Sequence, residues 1–160
     1  FETYISAKGE FIDIVVDGNI LPQNDSLSAL DLDVKIKQFD LHLLEELVSN
    51  NIAEASGSVS GGIAIDGTTT FPKLSGALQF KNASIRPDGA QSGYMVNDEK
   101  VKITPEGLAF EKFTLTDENG SNLSIDGTIK HKKFAQPELD LKIRSENFTL
   151  VDILESANSP

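Results

Sequence analysis

The sequence has no cysteine and no tryptophan, and it has no long hydrophobic run. Without cysteine, a disulfide framework, a thiolate metal site and a cysteine nucleophile are all excluded. No apolar run approaches the ~18 residues of a membrane-spanning helix, and no signal peptide opens the chain. Because the chain begins at Phe1 rather than at a methionine, we expect it to be one segment of a longer protein.

Positive charge is also scarce in this sequence. The 160 residues include 14 Lys and Arg against 25 Asp and Glu, which gives a net charge of −11. Such a field repels nucleic acids and anionic headgroups, so no nucleic-acid partner is expected. The length corresponds to about one domain, large enough to bury a core.

Motifs that carry chemistry are missing as well. His42 and His131 are far apart and have no companion pattern, so both are predicted to be solvated. The segment GSVSG at 57–61 has valine where a nucleophile elbow requires serine. The oxygen-rich segment at 116–122 lacks calcium-loop spacing and predicts a plain turn, with weak calcium binding as the alternative. We therefore expect no catalytic residue, no metal site and no cofactor, and hence a protein that is not an enzyme.

The sequence does contain a strong period of two. In LDLDVKIK at 30–37 the apolar residues alternate without error with charged ones, and ELDLKIR at 138–144 does the same. This period places the two sets on opposite faces of a sheet, one dry and one wet. Further strands are predicted at 3–8, 10–16, 58–66, 74–81, 93–97, 100–103, 107–116 and 121–130.

Two stretches depart from this period and favour short helices. Segment 39–49 places leucines at helical spacing with Glu45 and Glu46 outward, and segment 148–156 has a similar pattern. Asp40 and Thr149 are the candidate N-caps. Loops are predicted at 21–26 and 86–93, and a hairpin turn that tolerates positive φ at Asn119 and Gly120 is predicted at 117–120.

A repeat runs through the chain. The pattern apolar-x-apolar-Asp-Gly occurs at 14–20, 63–69 and 123–129. Its glycines (Gly18, Gly67 and Gly127) fall on the apolar face, where a strand glycine marks a bend or the close approach of another backbone.

A second similarity links 30–47 with 138–155, aligned with a two-residue insertion in the later copy. The predicted unit is a strand, an Asp-Gly bend, a second strand, Phe-x-Leu and a helix. The approximate units are 1–50 and 51–160, within one segment of a larger repetitive protein.

The order of these motifs resembles the C-terminal region of TamB-type proteins, which belong to the AsmA-like group. The resemblance covers roughly 30–155 and is carried by the stretches 55–85, 94–129 and 137–153. Within them it depends on a G-x-(I/V)-x-(I/V)-x-G strand, a P-x-L-x-G-x-L strand (Pro72, Leu74, Gly76 and Leu78), the turn from Asp117 to Gly120, and an apolar-x-G-x-I pattern.

The resemblance implies an all-β fold: a curled, stacked antiparallel sheet that forms an open hydrophobic trough (a β-taco), here with two short helices. It also implies a Gram-negative envelope protein that is anchored in the inner membrane and reaches across the periplasm. Family members are implicated in moving phospholipids toward the outer membrane, and in outer-membrane protein assembly with a barrel partner of the TamA or BamA type.

The apolar faces of the strands are the predicted functional surface, which would hold phospholipid acyl chains. Shielding a sixteen-carbon chain from water requires roughly 13 kcal/mol, which a continuous apolar surface supplies and a polar site does not. Gly67 and Gly76 are expected to let the sheet curl, and a parity change between Phe110 and Phe113 predicts a bulge at Glu111–Lys112. The predicted lining comprises Ile12, Ile14, Val16, Leu32, Val34, Ile36, Ile63, Ile65, Leu74, Leu78, Phe80, Leu108, Phe110, Leu123, Ile125, Leu139, Leu141 and Ile143.

Two other functions remain open at this point. One is a scaffold on which outer-membrane β-strands pair during assembly. The other is a closed β-sandwich that binds polysaccharide, against which the absence of Trp and the presence of only 2 Tyr argue. Because an open stack of strands has unpaired edges, the isolated chain is expected to self-associate through them.

Overall fold

The structure is a computed structural model that describes residues 1–24, 27–47, 51–132 and 136–149. These residues form a single antiparallel sheet with one short helix. In chain order the elements are β1 (Glu2–Lys8), β2 (Ile12–Asn24), β3 (Leu27–Asp40), α1 (Leu43–Leu47), β4 (Ile52–Thr68), β5 (Pro72–Pro87), β6 (Tyr94–Val96), β7 (Lys100–Thr104), β8 (Gly107–Thr116), β9 (Asn122–Lys132) and β10 (Gln136–Ser145).

The sheet has ten strands in the order β1-β2-β3-β4-β5-β6-β8-β9-β10, and β7 pairs with β5 and β8. The short strands β6 and β7 therefore share one position between β5 and β8, one beside each half of β5. The predicted all-β, β-taco-like fold is confirmed. The described residues contain one sheet and not two, so the β-sandwich alternative is wrong for this part of the chain.

All the predicted strands are present, and most of them are longer than predicted. The predicted loop at 21–26 is wrong over its first four residues, because β2 continues to Asn24 and pairs with the start of β3. Likewise β5 extends to Pro87, into the predicted loop at 86–93. Strands β2 and β5 continue past their apolar alternation because their backbones still pair with a long neighbouring strand. Periodicity alone therefore places the ends of these two strands too early.

The predicted helix at 39–49 is present as Leu43–Leu47 and does not include 39–42, and its last two predicted positions lie outside the described residues. Asp40 is not its N-cap: it ends β3, and its carboxylate accepts the backbone N–H of His42 at 3.2 Å and contacts the His42 imidazole. The hydrogen bond from His42 lowers the pKa of Asp40 below its usual value. The predicted helix at 148–156 lies almost entirely outside the described residues, and Phe148 and Thr149 are not helical.

The strand register places apolar residues of successive strands opposite one another. Val16 faces Val34, which in turn faces Ile63. We call the side that carries these residues the inner face, and the opposite side the outer face. All of the predicted lining residues, from Ile12 to Ile143, lie on the inner face by this register.

One end of the inner face forms the buried core, which we call the closed end. Its buried residues are Leu41, Ala55, Val59, Ala83, Val96, Val101 and Phe113. Helix α1 lies against the first half of β4, where β3 has already ended. There the Gly57 carbonyl accepts the Leu41 N–H at 2.9 Å, and the Glu45 carboxylate accepts the Ala55 N–H at 2.7 Å. Glu45 was predicted to point outward, but it caps an edge of β4 that none of the described strands covers.

The predicted bulge in β8 is confirmed. The register shifts between Phe110 and Phe113, and Lys112 has a φ of 50°. The Lys112 N–H donates to the Asp126 carboxylate at 2.8 Å. The extra residue keeps both phenylalanines on the inner face although they are three positions apart.

The repeat is regular at the level of strand pairing. The β9–β10 hairpin repeats the pairing of the β2–β3 hairpin 109 positions later in the chain. The pairs from Ile14↔Ile36 to Pro22↔Ser28 correspond to the pairs from Leu123↔Ser145 to His131↔Pro137. The same offset aligns Phe39 with Phe148 and needs no insertion, so the two-residue insertion predicted above is wrong.

The repeated glycines show the close backbone approach that the sequence predicted. A Cβ atom at Gly18 would overlap the carbonyl oxygen of Asp31, and one at Gly127 would overlap that of Asp140. Gly67 likewise approaches the Phe71 carbonyl.

Candidate functional site

An uninterrupted row of residues crosses the inner face from one edge of the sheet to the other. Each residue faces the next across adjacent strands, and glycine is the only member that is not a large apolar residue. This long row consists of Ile5, Val16, Val34, Ile63, Gly76, Ile103, Leu108, Ile129 and Leu139. At about 4.8 Å per strand, it runs for roughly 40 Å.

A second row follows the long row on the side of the closed end. It consists of Ala7, Ile14, Ile36, Gly61, Leu78, Val101, Phe110, Gly127 and Leu141. Neither row contains a polar side chain, so together they form a continuous apolar strip.

The strip is incompletely covered. Apart from α1 on β4, the described elements contact chiefly their neighbours within the sheet. Most of the predicted lining residues are half-buried, while Leu108, Leu139 and Ile143 are 37%, 63% and 56% exposed. Leu123 differs, since it is only 4% exposed and belongs to the buried core rather than to an accessible surface.

The sequence analysis missed several inner-face residues. Ile103 and Ile129 both lie in the long row, and Phe113 anchors the closed end. The signal for Ile129 was present in the sequence, because it continues the alternation of Leu123 and Ile125. Ile103 was harder to find, because its strand has only five residues.

A small apolar cavity lies at the end of the inner face remote from the closed end. Its volume is about 220 Å³, and its lining is Pro72, Leu74, Ile103, Thr104, Pro105, Gly107, Leu108 and His131. His131 was predicted to be solvated, but it is half-buried in this wall. His42 lies at the opposite end of the sheet, edge-on to the Phe11 ring at 4.6 Å, so the two histidines do not form one site.

The outer face is charged. Asp17 lies opposite Asp33, and Asp31 lies opposite Asp66. Like charges at directly opposed positions destabilise a sheet slightly and keep its surface hydrated. Among the residues that the structure describes, no group of three metal-ligating side chains is placed to hold an ion.

The oxygen-rich segment at 116–122 is the hairpin turn that the sequence predicted, with positive φ at Gly120 but not at Asn119. Asp117 is 2% exposed. One of its carboxylate oxygens accepts the N–H groups of Asn119 and Ser121, and the other accepts that of Thr149 at 3.0 Å. These bonds, that from Thr149 foremost, lower the pKa of Asp117. The carboxylate therefore fixes the turn and the chain after β10.

Replacing Asp117 with asparagine is expected to destabilise the protein, because an amide NH₂ group cannot accept the Thr149 N–H. The ionised carboxylate stabilises the folded state fully above its unfolded-state pKa of about 3.9. This stabilisation is lost as the pH falls toward the lower pKa that Asp117 has in the folded state. Thermal melts between pH 3 and pH 7 should therefore show a smaller pH dependence in Asp117→Asn than in the wild type. The control is Glu118→Gln, in the same turn but exposed. It should leave the pH dependence of the melting temperature as it is in the wild type.

A single antiparallel sheet with a continuous, incompletely covered apolar face defines a protein of the β-taco class. The chain belongs to the TamB family, since the family model for the TamB C-terminal domain matches residues 5–113, more than half of the chain. The match begins earlier and ends earlier than the resemblance placed at 30–155. The family consists of non-enzymatic proteins of the cell envelope.

One curated relative has a different description. A histidinol-phosphate aminotransferase of Methanococcoides burtonii is 27% identical over 142 residues, which cover 85% of this chain and 38% of that protein. The chain thus spans well under half of the relative's length, and this low identity does not establish catalysis. No solved structure matches the chain. Within the described ranges, none of the helical residues form a segment with the length and hydropathy needed to cross a membrane.

Proposed function

We propose that the inner face carries phospholipid acyl chains, as one periplasmic segment of a TamB-like bridge between the inner and outer membranes. The observation that carries the proposal is the apolar strip that runs from edge to edge of the sheet. We assign no catalytic role to any residue.

The geometry suits an elongated apolar guest. An acyl chain needs apolar contact along its whole length, because each exposed methylene costs about 0.8 kcal/mol. The strip is roughly 40 Å long at about 4.8 Å per strand, which exceeds the length of one acyl chain. The charged outer face keeps such a loaded sheet soluble.

Membership in the TamB family supports a place in the cell envelope, and the periplasmic location is part of this proposal. A TamB-type protein is anchored in the inner membrane and extends into the periplasm, so this segment would meet lipids that have already left that membrane.

The second candidate function is a scaffold for outer-membrane β-strands, acting with a barrel of the TamA or BamA type. Its support is the pair of terminal strands β1 and β10, each of which pairs with one strand only among the described residues. Ile5 on β1 is 59% exposed and Leu139 on β10 is 63% exposed.

Adjacent residues of β4 provide a matched test. Ile65 lies on the inner face and Ala64 on the outer face. A photoreactive residue at position 65 should crosslink to phospholipid from phosphatidylethanolamine–phosphatidylglycerol vesicles, whereas one at position 64 should not. Ile65→Asp should weaken lipid binding by more than about tenfold, because the guest would have to desolvate a carboxylate. Ala64→Asp should leave binding unchanged.

Circular dichroism must show that both variants remain folded, and Leu139→Asp at the exposed sheet edge is the fallback if Ile65→Asp unfolds. Equal crosslinking from both faces would contradict the proposal. Crosslinks in cells that reach only outer-membrane proteins would favour the scaffold.

A further inference from the structure

Strand β10 has a counterpart inside the sheet. It repeats β3 with an offset of 109 positions, so that Leu141 corresponds to Leu32. The two strands differ at their second edge, where β3 pairs with β4, whereas β10 is the last strand of the sheet in the described part of the chain. We call this second edge of β10 the open edge. Comparing the two strands shows what distinguishes the strand at the open edge from its internal copy.

The outer face of β10 carries two acidic residues followed by two basic ones. All four are exposed, and they are Glu138, Asp140, Lys142 and Arg144. This order is self-complementary, because reversing the strand brings its acidic half opposite its basic half. The corresponding residues of β3 are Ala29, Asp31, Asp33 and Lys35. Reversing β3 about Leu32 would instead place Asp31 opposite Asp33, so the self-complementary order is a property of the edge strand and not of its internal copy.

The neighbouring strand β9 does not account for the whole of this order. It offers an opposite charge to the basic half through Asp126, and to Glu138 through Lys130. Asp140, in contrast, lies opposite Thr128. A neighbour at the open edge could therefore supply the opposite charge that β9 does not offer to Asp140.

The backbone of β10 presents hydrogen-bonding groups at the open edge. The Asp140 carbonyl oxygen points toward β9, since a Cβ atom at Gly127 would overlap it. In an antiparallel strand the backbone groups of successive residues point to opposite sides. The N–H and C=O groups of Leu139, Leu141 and Ile143 therefore point to the open edge, where an antiparallel strand could bond to them.

Strand directions decide which edge of a second copy fits the open edge. Ile5 and Leu139 lie in the long row, and Ala7 and Leu141 lie in the second row, so β1 and β10 run in the same direction. With the inner faces on one side, β1 of a second copy would lie parallel to β10, whereas every pair in this sheet is antiparallel. Strand β10 of a second copy, related by a two-fold axis normal to the sheet, lies antiparallel to β10 with the inner faces on one side.

We propose that the open edge of β10 is a homodimer interface, in which β10 of a second copy pairs antiparallel about a two-fold axis at Leu141. Asp140 then lies opposite Lys142 of the second copy, and Glu138 lies opposite Arg144 of the second copy. The symmetry forms each of these pairs twice, and opposite charges at directly opposed positions stabilise a sheet. On the inner face Leu141 meets its own symmetry mate, so the second row of one copy continues into that of the other. This interface does not depend on lipid binding.

The charges select this register over its neighbours. Moving the axis two residues toward the start of β10 would bring the two acidic residues opposite each other, and moving it two residues toward the end would do the same to the two basic residues. An axis at Asp140 or at Lys142 would oppose that residue to itself. Like charges at directly opposed positions destabilise a sheet, so the axis at Leu141 is the one that gives every charge of β10 an opposite partner.

A pair of charge reversals tests the interface. In Asp140→Lys two basic residues meet on each side of the axis, and in Lys142→Glu two acidic residues do. Each variant alone should therefore dimerise about tenfold to thirtyfold more weakly than the wild type in sedimentation equilibrium. An equimolar mixture of the two variants should associate as tightly as the wild type, because every reversed charge then meets an opposite one. The control is Asp33→Lys on β3, whose two edges are both paired, and it should leave the dimer unchanged.

Disulfide mapping tests the position of the axis without changing any charge, and the absence of cysteine from the chain makes the background clean. Leu141→Cys should form a disulfide-linked dimer with itself under mild oxidation. Leu139→Cys and Ile143→Cys should form the link with each other in a mixture, and much more slowly when each is alone. The reason is that only directly opposed residues come within the separation that a disulfide requires.

Several results would overturn the proposal. They are a wild-type chain that stays monomeric at submillimolar concentration, charge variants that dimerise alone as well as the wild type, and a mixture that does not recover. Dimerisation through β1, whose outer face has charges only at Glu2 and Lys8, would survive both charge reversals and give no link from Leu141→Cys, and it too would overturn the proposal. Circular dichroism checks that the variants are folded, and the cysteine variants test the same interface if a charge reversal unfolds the chain. A failure of lipid crosslinking at position 65 would leave this interface untouched.

Discussion

Gly61→Ala is expected to lower the free energy of unfolding by roughly 2–5 kcal/mol, from backbone strain at positive φ together with displacement of the neighbouring strand. Gly61 has a φ of 152°, and a Cβ there would overlap the carbonyl oxygen of Ala77 on β5. A side chain at this position would therefore have to push two central strands apart. Urea unfolding should show a lower midpoint with an unchanged m-value.

The adjacent glycine provides the control. A Cβ at Gly62 would have the Val34 carbonyl oxygen as its nearest neighbour at 3.8 Å, an ordinary contact, and its φ is not positive. Gly62→Ala should therefore be neutral or stabilise the protein by up to about 1 kcal/mol through the unfolded state. Equal costs at the two positions would mean that the strands β4 and β5 do not approach each other as described.

Phe113→Ala is expected to destabilise the protein by about 3–5 kcal/mol, the usual range for truncating a buried phenylalanine. Phe113 is 6% exposed and makes edge-to-face contacts with Phe80 at 6.1 Å and Phe110 at 5.5 Å between ring centroids. Its removal would leave a cavity at the closed end, where most of the buried side chains are gathered. The measurement is again the free energy of unfolding in urea.

Phe71→Ala is the matched comparison, because Phe71 lies in the β4–β5 turn and is 71% exposed. It should change stability by less than about 0.5 kcal/mol. If the two phenylalanines cost the same, the closed end would not be the core that stabilises the sheet. The inner face would then have to supply the folding energy itself, which is difficult to reconcile with a surface that accepts guests.

The inner face could be predicted residue by residue because strand geometry has a strict period of two. Ile63 and Ile65 alternate with outward residues, and no packing information is needed to assign their face. The bulge at Glu111–Lys112 was predictable for the same reason, since an extra residue in a strand shifts the parity of every residue that follows.

The closed end was less predictable. Leu41 and Glu45 were assigned to a longer helix, because local spacing does not reveal that β3 stops beside the middle of β4. The use of Glu45 as a cap for the Ala55 N–H depends on that unpaired edge, which exists only after the strands have been aligned.

The sequence by itself determined which residues share a face and where the hairpin turn from Asp117 to Gly120 falls, because side-chain alternation and turn chemistry are local properties. The TamB-type antiparallel sheet was the implication of a resemblance in motif order, and the predicted Asp-Gly bends between strands were wrong, since each Asp-Gly pair lies inside a continuous strand. Only the tertiary structure decided that the sheet is single, that Leu123 is buried while Leu139 is exposed, and that β2–β3 and β9–β10 share one register. Those features depend on which strands become neighbours, and pairing between distant segments is set by the whole sheet rather than by any one segment of it.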